Sequence, residues 1–179
     1  MKLETRTLLR LRDALMQSGR RPSAVQSSAY ETLARQGLLT AQESAALTRV
    51  EPIAETMYLM MSADGDIASD ERDVVRGAIR GLTSDVLHTG TINVMLETYA
   101  KRQAAEGRDA RLWQISEELA ESPAEAEAAF TLAAAVALAD DAVADEETAF
   151  IHQLAEWFRL SDSRAQQLLE QLDEDRKPD

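Results

Sequence analysis

The chain has 179 residues, no cysteine and only two histidines, which excludes thiol catalysis, iron–sulfur clusters, a disulfide framework, Cys-type zinc sites and a three-histidine metal site within one chain. Its 45% apolar and 28% charged residues are an ordinary globular balance, and seven glycines and four prolines beside much Ala, Leu, Glu, Gln and Arg make a helix-forming composition. The formal net charge of −13 disfavours nucleic acid as a partner, because an acidic surface repels phosphate backbones, and favours cations or a basic partner.

The first segment, 3–18, sets Leu8, Leu11 and Leu15 at helical spacing and stops at Gly19 and Pro22. It mixes Glu4 and Asp13 with its basic residues and has no uninterrupted apolar stretch, a poor match to a secretory signal. Ser23 can cap a helix of about 24–36, closed by Gly37. Thr40-x-x-Glu43 is a capping-box pattern that opens the next helix. Pro52 is expected in the first turn of a further helix over 52–63, where its missing N–H does no harm. Helices are then expected over 70–82, 92–105, 108–121, 123–139, 146–158 and 162–173. Ser122-Pro123-x-Glu125 combines a cap, an N1 proline and a capping-box glutamate, and Ser161 caps the last helix. No segment alternates in the manner of a strand, and no run reaches the roughly 18–20 apolar residues of a membrane span.

Charge divides the chain. Residues 1–50 hold eight Lys/Arg against four Asp/Glu, a net +4, and residues 51–179 hold 11 against 28, a net −17. The expected organisation is one domain over 1–179, with a basic helical extension (1–50) packed on an acidic helical body (51–175) and a frayed tail at 174–179. The basic extension, with Arg6, Arg10, Arg12, Arg20 and Arg21, could dock on a membrane surface or an acidic partner, but docking on the acidic body or a solvated face is the favoured reading. The absence of cysteine agrees with a cytoplasmic location.

One internal repeat stands out at an offset of 76. In MYLMMSADGDIASDERDVV (57–75) and AAAVALADDAVADEETAFI (133–151), Ala63-Asp64 matches Ala139-Asp140, Ile67 matches Val143, and Asp70-Glu71 matches Glu146-Glu147. Each copy is an apolar helix, an acidic turn and an acidic helix start. Acids at a helix start face its positive end and stabilise it by about 0.3–1 kcal/mol each, so Asp70, Glu71, Asp145, Glu146 and Glu147 need no functional explanation. Asp64 and Asp140 end the preceding helix, where a negative charge is disfavoured by a similar amount; turn hydrogen bonds from the Asp side chain would recover part of that, and a cation more. Counted from Asp64, an EF-hand loop fails at Ala68, Ser69 and Val75, and the second copy fails at Ala142, Ala144 and Ile151. The carboxylates expected to converge are Asp64 with Glu71 and Asp140 with Glu147, brought together if the two hairpins pack about a pseudo-twofold axis. Asp66 and Asp141 are auxiliary candidates. Four such carboxylates would need a divalent cation (Ca²⁺, Mg²⁺ or Mn²⁺) or shared protons.

ADGDIASDE at 63–71 and ALADDAVADEE at 137–147, each behind an apolar helix, resemble the TerB-like domain family, which includes the tellurite-resistance protein TerB and the N-terminal domain of DjlA-type co-chaperones. The resemblance covers about residues 50–173. It implies an all-α bundle, no established enzymatic activity, and a metal-binding acidic cluster whose motif acids fall on Asp64, Glu71, Asp140 and Glu147. The second copy reads Ala139-Asp140-Asp141 where the family has Ala-Asp-Gly.

The expected fold is therefore all-α, a compact multi-helix bundle of about eight to eleven helices with an internal pseudo-twofold repeat. Helical spacing assigns Met57, Met60 and Met61 to core packing; Trp113, Trp157 and Phe158 are read as core or packing residues. Gly77 and Gly81 are expected at a close helix contact, against 128–139. His152, five residues after Glu147, is off its face. No nucleophile, phosphate-cradling loop or HExxH motif is present, so no catalytic residue is assigned and the chain is read as non-enzymatic. Two functional readings lead: a cation-binding, stress-response or adaptor module working through the acidic turns, and a purely structural protein–protein interaction domain whose turn acids are only caps; a hydrolase using the carboxylates with a metal is a distant third.

Overall fold

The computed structural model describes residues 5–17, 33–35, 37, 39–63, 65, 67, 69–138 and 145–176. Among them are eight helices, here α1 (Thr5–Gln17), α2 (Ala41–Met61), α3 (Ser69–Leu82), α4 (Thr89–Glu106), α5 (Arg108–Leu119), α6 (Pro123–Ala137), α7 (Asp145–Trp157) and α8 (Asp162–Arg176), with residues 33–35 also helical and no strand. The expectation of a helix over 24–36 falls mostly outside the described residues.

The hydrophobic pattern decides the layout. Every residue from Val50 to Met61 is buried, as are Glu125, Ala126 and Ala128–Ala137. A helix that is apolar all round must lie at the centre, and α2 and α6 make the most extensive helix–helix contact of the fold. These are the first helices of the two repeat units. Ala129, Ala133 and Ala137 on α6 and Met57, Met60 and Met61 on α2 are each 0–1% exposed.

The other helices shield this pair. α3 packs on α1, α2, α4 and α6; α5 on α2, α4, α6 and α7; α7 on α5 and α6; and α8 on α6 and α1. α3 and α7, the second helices of the repeat units, do not pack extensively on each other. At the N-terminal helix, Thr7 is buried and donates its hydroxyl to Asp175 of α8 at 2.7 Å, and Arg10 pairs with the same carboxylate at 3.1 Å. No described helix is long and apolar enough to cross a membrane.

Local signals at the helix ends are mixed. The Thr40–Glu43 capping box forms in full: the Glu43 N–H donates to Thr40 Oγ1 at 3.2 Å and the Thr40 N–H donates to Glu43 Oε2 at 2.9 Å. Those bonds, the backbone one first, lower the Glu43 pKa. A carboxylate with a lowered folded pKa adds stability that is complete above its unfolded value and lost as pH falls through the folded one. Thr40→Ala is therefore expected to cost about 1 kcal/mol at neutral pH and less in acid, read from urea unfolding at pH 7 and pH 3. Ser161 also caps as expected, accepting from the Arg164 N–H at 3.2 Å. Ser122 makes no side-chain cap hydrogen bond, although Pro123 opens the helix.

Three expectations are corrected. Pro52 lies inside α2 rather than at a helix start: an interior proline costs about 3 kcal/mol, but burial of the whole 50–61 stretch against α6 outweighs a local break. Gly81 approaches α1, not 128–139; a Cβ there would stand 3.1 Å from Leu8 Cδ1, while Gly77 has open space. Trp113 is 55% exposed rather than core.

Candidate functional site

The first acidic turn leaves α2 through tightening backbone bonds. The Ser62 N–H donates to the Tyr58 carbonyl at 3.1 Å, Ala63 to Met60 at 2.9 Å and Gly65 to Ser62 at 3.2 Å. Gly65 has φ +88°, a left-handed conformation that glycine adopts without penalty. Ile67 then packs against the core and anchors the turn before α3 begins. Glu71 is the third residue of α3 and is 8% exposed. In the second unit Glu147 is the third residue of α7 and is also 8% exposed. The repeat thus carries one matching buried carboxylate per unit. Asp64, Asp66, Asp140 and Asp141 lie outside the described residues. Among the described residues no group of three or more His, Asp or Glu is arranged to hold a metal ion. His152 is exposed.

The first turn forms one wall of an open cleft of about 510 Å³, with Ser62, Ala63 and Gly65 facing Gln103 and Glu106 of α4 and the first turn of α5. Ser62 Oγ lies 2.9 Å from Gln103 Oε1. Gly107, at φ +86°, ends α4 and starts α5 in a single residue. The next residue, Arg108, lays its guanidinium 4.9 Å from the centre of the Phe150 ring on α7, a cation–π contact that ties this cleft to the second repeat unit.

Behind the cleft is a buried ionic network that motif reading did not find. Arg111, 3% exposed, grips Glu55 with two bonds of 2.7 and 2.9 Å, and Arg102 stands 3.5 Å from the same carboxylate. Glu106 pairs with Arg111 at 3.1 Å, and Gln114 bonds both Arg111 and Glu106. Burial works against the Arg111 charge, but the hydrogen bonds and charges of Glu55 and Glu106 outweigh it and raise its pKa. Burial also opposes ionisation of Glu106, and Arg111 reverses this to a net lowering. Beside them Tyr99 is fully buried, its hydroxyl has no hydrogen-bond partner among the described residues, and burial followed by the charges of Glu51 and Glu55 pushes its pKa well above the usual value. The available signal was Glu51 and Glu55 set four apart within the mostly apolar 50–61 stretch, since charges inside a buried helix demand partners.

Residues 51–170 match the family model for tellurite resistance protein TerB. The chain belongs to the TerB family. The matched region takes in the buried half of α2, both acidic turns, Glu71, Glu147 and the Glu55–Arg111 pair. It leaves out α1, the first half of α2 and the end of α8. No curated protein and no solved structure matches the chain.

Proposed function

We propose that this TerB-family protein is a non-enzymatic cytoplasmic module that binds a divalent cation through its two acidic turns and serves as a stress-response adaptor. The observation that carries the reading is the equivalence of Glu71 and Glu147, both 8% exposed at the third position of the helix that follows each turn. Each lies seven residues after a turn aspartate, Asp64 or Asp140. The donor chemistry is all carboxylate, which suits hard cations such as Ca²⁺, Mg²⁺ and Mn²⁺ rather than thiophilic metals. Asp66 and Asp141 would add ligands, and the cation would bind the turn to the helix start.

The same helical position favours the second reading, an interaction domain without metal, because a glutamate at N3 is where a capping-box side chain belongs. Calorimetric titration separates the two. Under the first reading Ca²⁺, Mg²⁺ or Mn²⁺ binds the parent chain, Asp64→Asn with Asp140→Asn abolishes binding, and Glu71→Gln or Glu147→Gln weakens it at least tenfold. Under the second there is no binding heat, and each Gln substitution only lowers stability by about 0.3–1 kcal/mol. Absence of binding to the parent removes the cation reading.

A further inference from the structure

We propose that the groove between α1, the first half of α2 and the end of α3 is a docking site for an acidic amphipathic helix of a partner protein. The groove encloses about 340 Å³, enough for the anchoring side chains of a docked helix. Its floor is apolar: Leu15, Val50 and Leu82, each 3–8% exposed. Met16, 64% exposed, stands on its rim, and methionine is the side chain that adapts most readily to an incoming apolar surface.

Charge selects the occupant. The chain holds 32 acidic and 19 basic residues, yet among the described residues the groove is lined by two arginines, Arg12 and Arg49, and by no acid. Arg49 directs its guanidinium at the Met16 sulfur and has no carboxylate partner among the described residues. Among the described residues Arg12 bonds its exposed chain neighbour Asp13, at 3.1–3.2 Å. Asp85, at the adjoining turn, is held by Arg80 at 2.7 Å and does not offset them. A guanidinium has five donors in a planar fork that matches a carboxylate, so an occupant with Leu- or Phe-type anchors flanked by Asp or Glu satisfies both floor and rim. The neighbouring segment 18–32 of this chain carries Arg20 and Arg21 against Glu31 and has the wrong sign. A lipid surface has headgroups of the right sign but no side chains to enter a concavity. The groove lies mostly outside the family-matched region, so the inference is independent of the acidic turns.

The test is selection of a displayed random 16-residue peptide library on the immobilised full chain, followed by fluorescence anisotropy with the recovered peptides. The expected winners carry apolar residues at helical spacing with flanking acids. Arg49→Glu and Ala45→Trp, both at exposed positions, weaken their binding at least tenfold while leaving the thermal melt unchanged. Chelator has no effect on this binding, and neither substitution alters cation titrations, which separates it from the turn reading. The proposal is overturned if no acidic peptide is recovered, if binding survives both substitutions, if the chain instead sediments with phosphatidylglycerol vesicles in an Arg49-dependent manner, or if Ala45→Trp abolishes self-association, which would make a second copy the occupant.

Discussion

Replacing Arg111 by Met is expected to destabilise the protein by about 3–5 kcal/mol, because it strands the Glu55 carboxylate in the interior. Glu55 is 1% exposed and takes two short bonds from Arg111, so water cannot replace the lost partner. Arg102, at 3.5 Å, retains some of the interaction and moves the effect toward the lower end of that range. The net stability of a domain is only about 5–15 kcal/mol, so the loss is a large share of it and should appear as a fall in Tm of about 10 °C. The double variant Glu55→Met with Arg111→Met is expected to recover most of it, since an apolar replacement of a buried pair is often neutral; Glu106, left without Arg111, is at the surface and can be hydrated. Urea unfolding of the single and double variants measures the coupling. A double variant no more stable than Arg111→Met would show that the pair is not the source of the loss.

Two aromatic residues are expected to behave in opposite ways. Phe130→Ala, at a position 1% exposed on the central helix α6, should cost about 3–5 kcal/mol through lost transfer energy and the cavity left behind. Trp113→Ala, at a position 55% exposed, should change stability by about 0.5 kcal/mol or less. Chemical denaturation of both variants checks this, and equal losses would contradict the assignment of Phe130 to the core and Trp113 to the surface.

Trp113 illustrates how far periodicity carries. In α5, Leu112, Ile115 and Leu119 form the buried stripe at 0–2% exposure, and Trp113 is one residue, about 100°, away from it. Its large apolar ring argued for the core, but its register argued otherwise, and register prevailed. Pro52 is the reverse case. The residue type predicted a helix start, but a local preference of about 3 kcal/mol was outweighed by the burial of a dozen consecutive residues. Gly81 was legible as a close contact, while its partner, Leu8, depended on where α1 came to rest. In the candidate site, Glu71 and Glu147 were singled out by the repeat and the family resemblance, and both are 8% exposed at the third position of their helices.

The amino-acid sequence by itself determined the all-α class, most of the helix spans, the two-unit repeat and the TerB resemblance. Those properties reside in spacing and short-range hydrogen bonds, which neighbouring residues set. Only the tertiary structure decided that α2 and α6 form the centre, that Glu55 finds Arg111 56 positions away, and that Arg12 and Arg49 line one groove. Such pairings depend on how helices cross, and side-chain chemistry read along one chain does not encode which distant face will meet it.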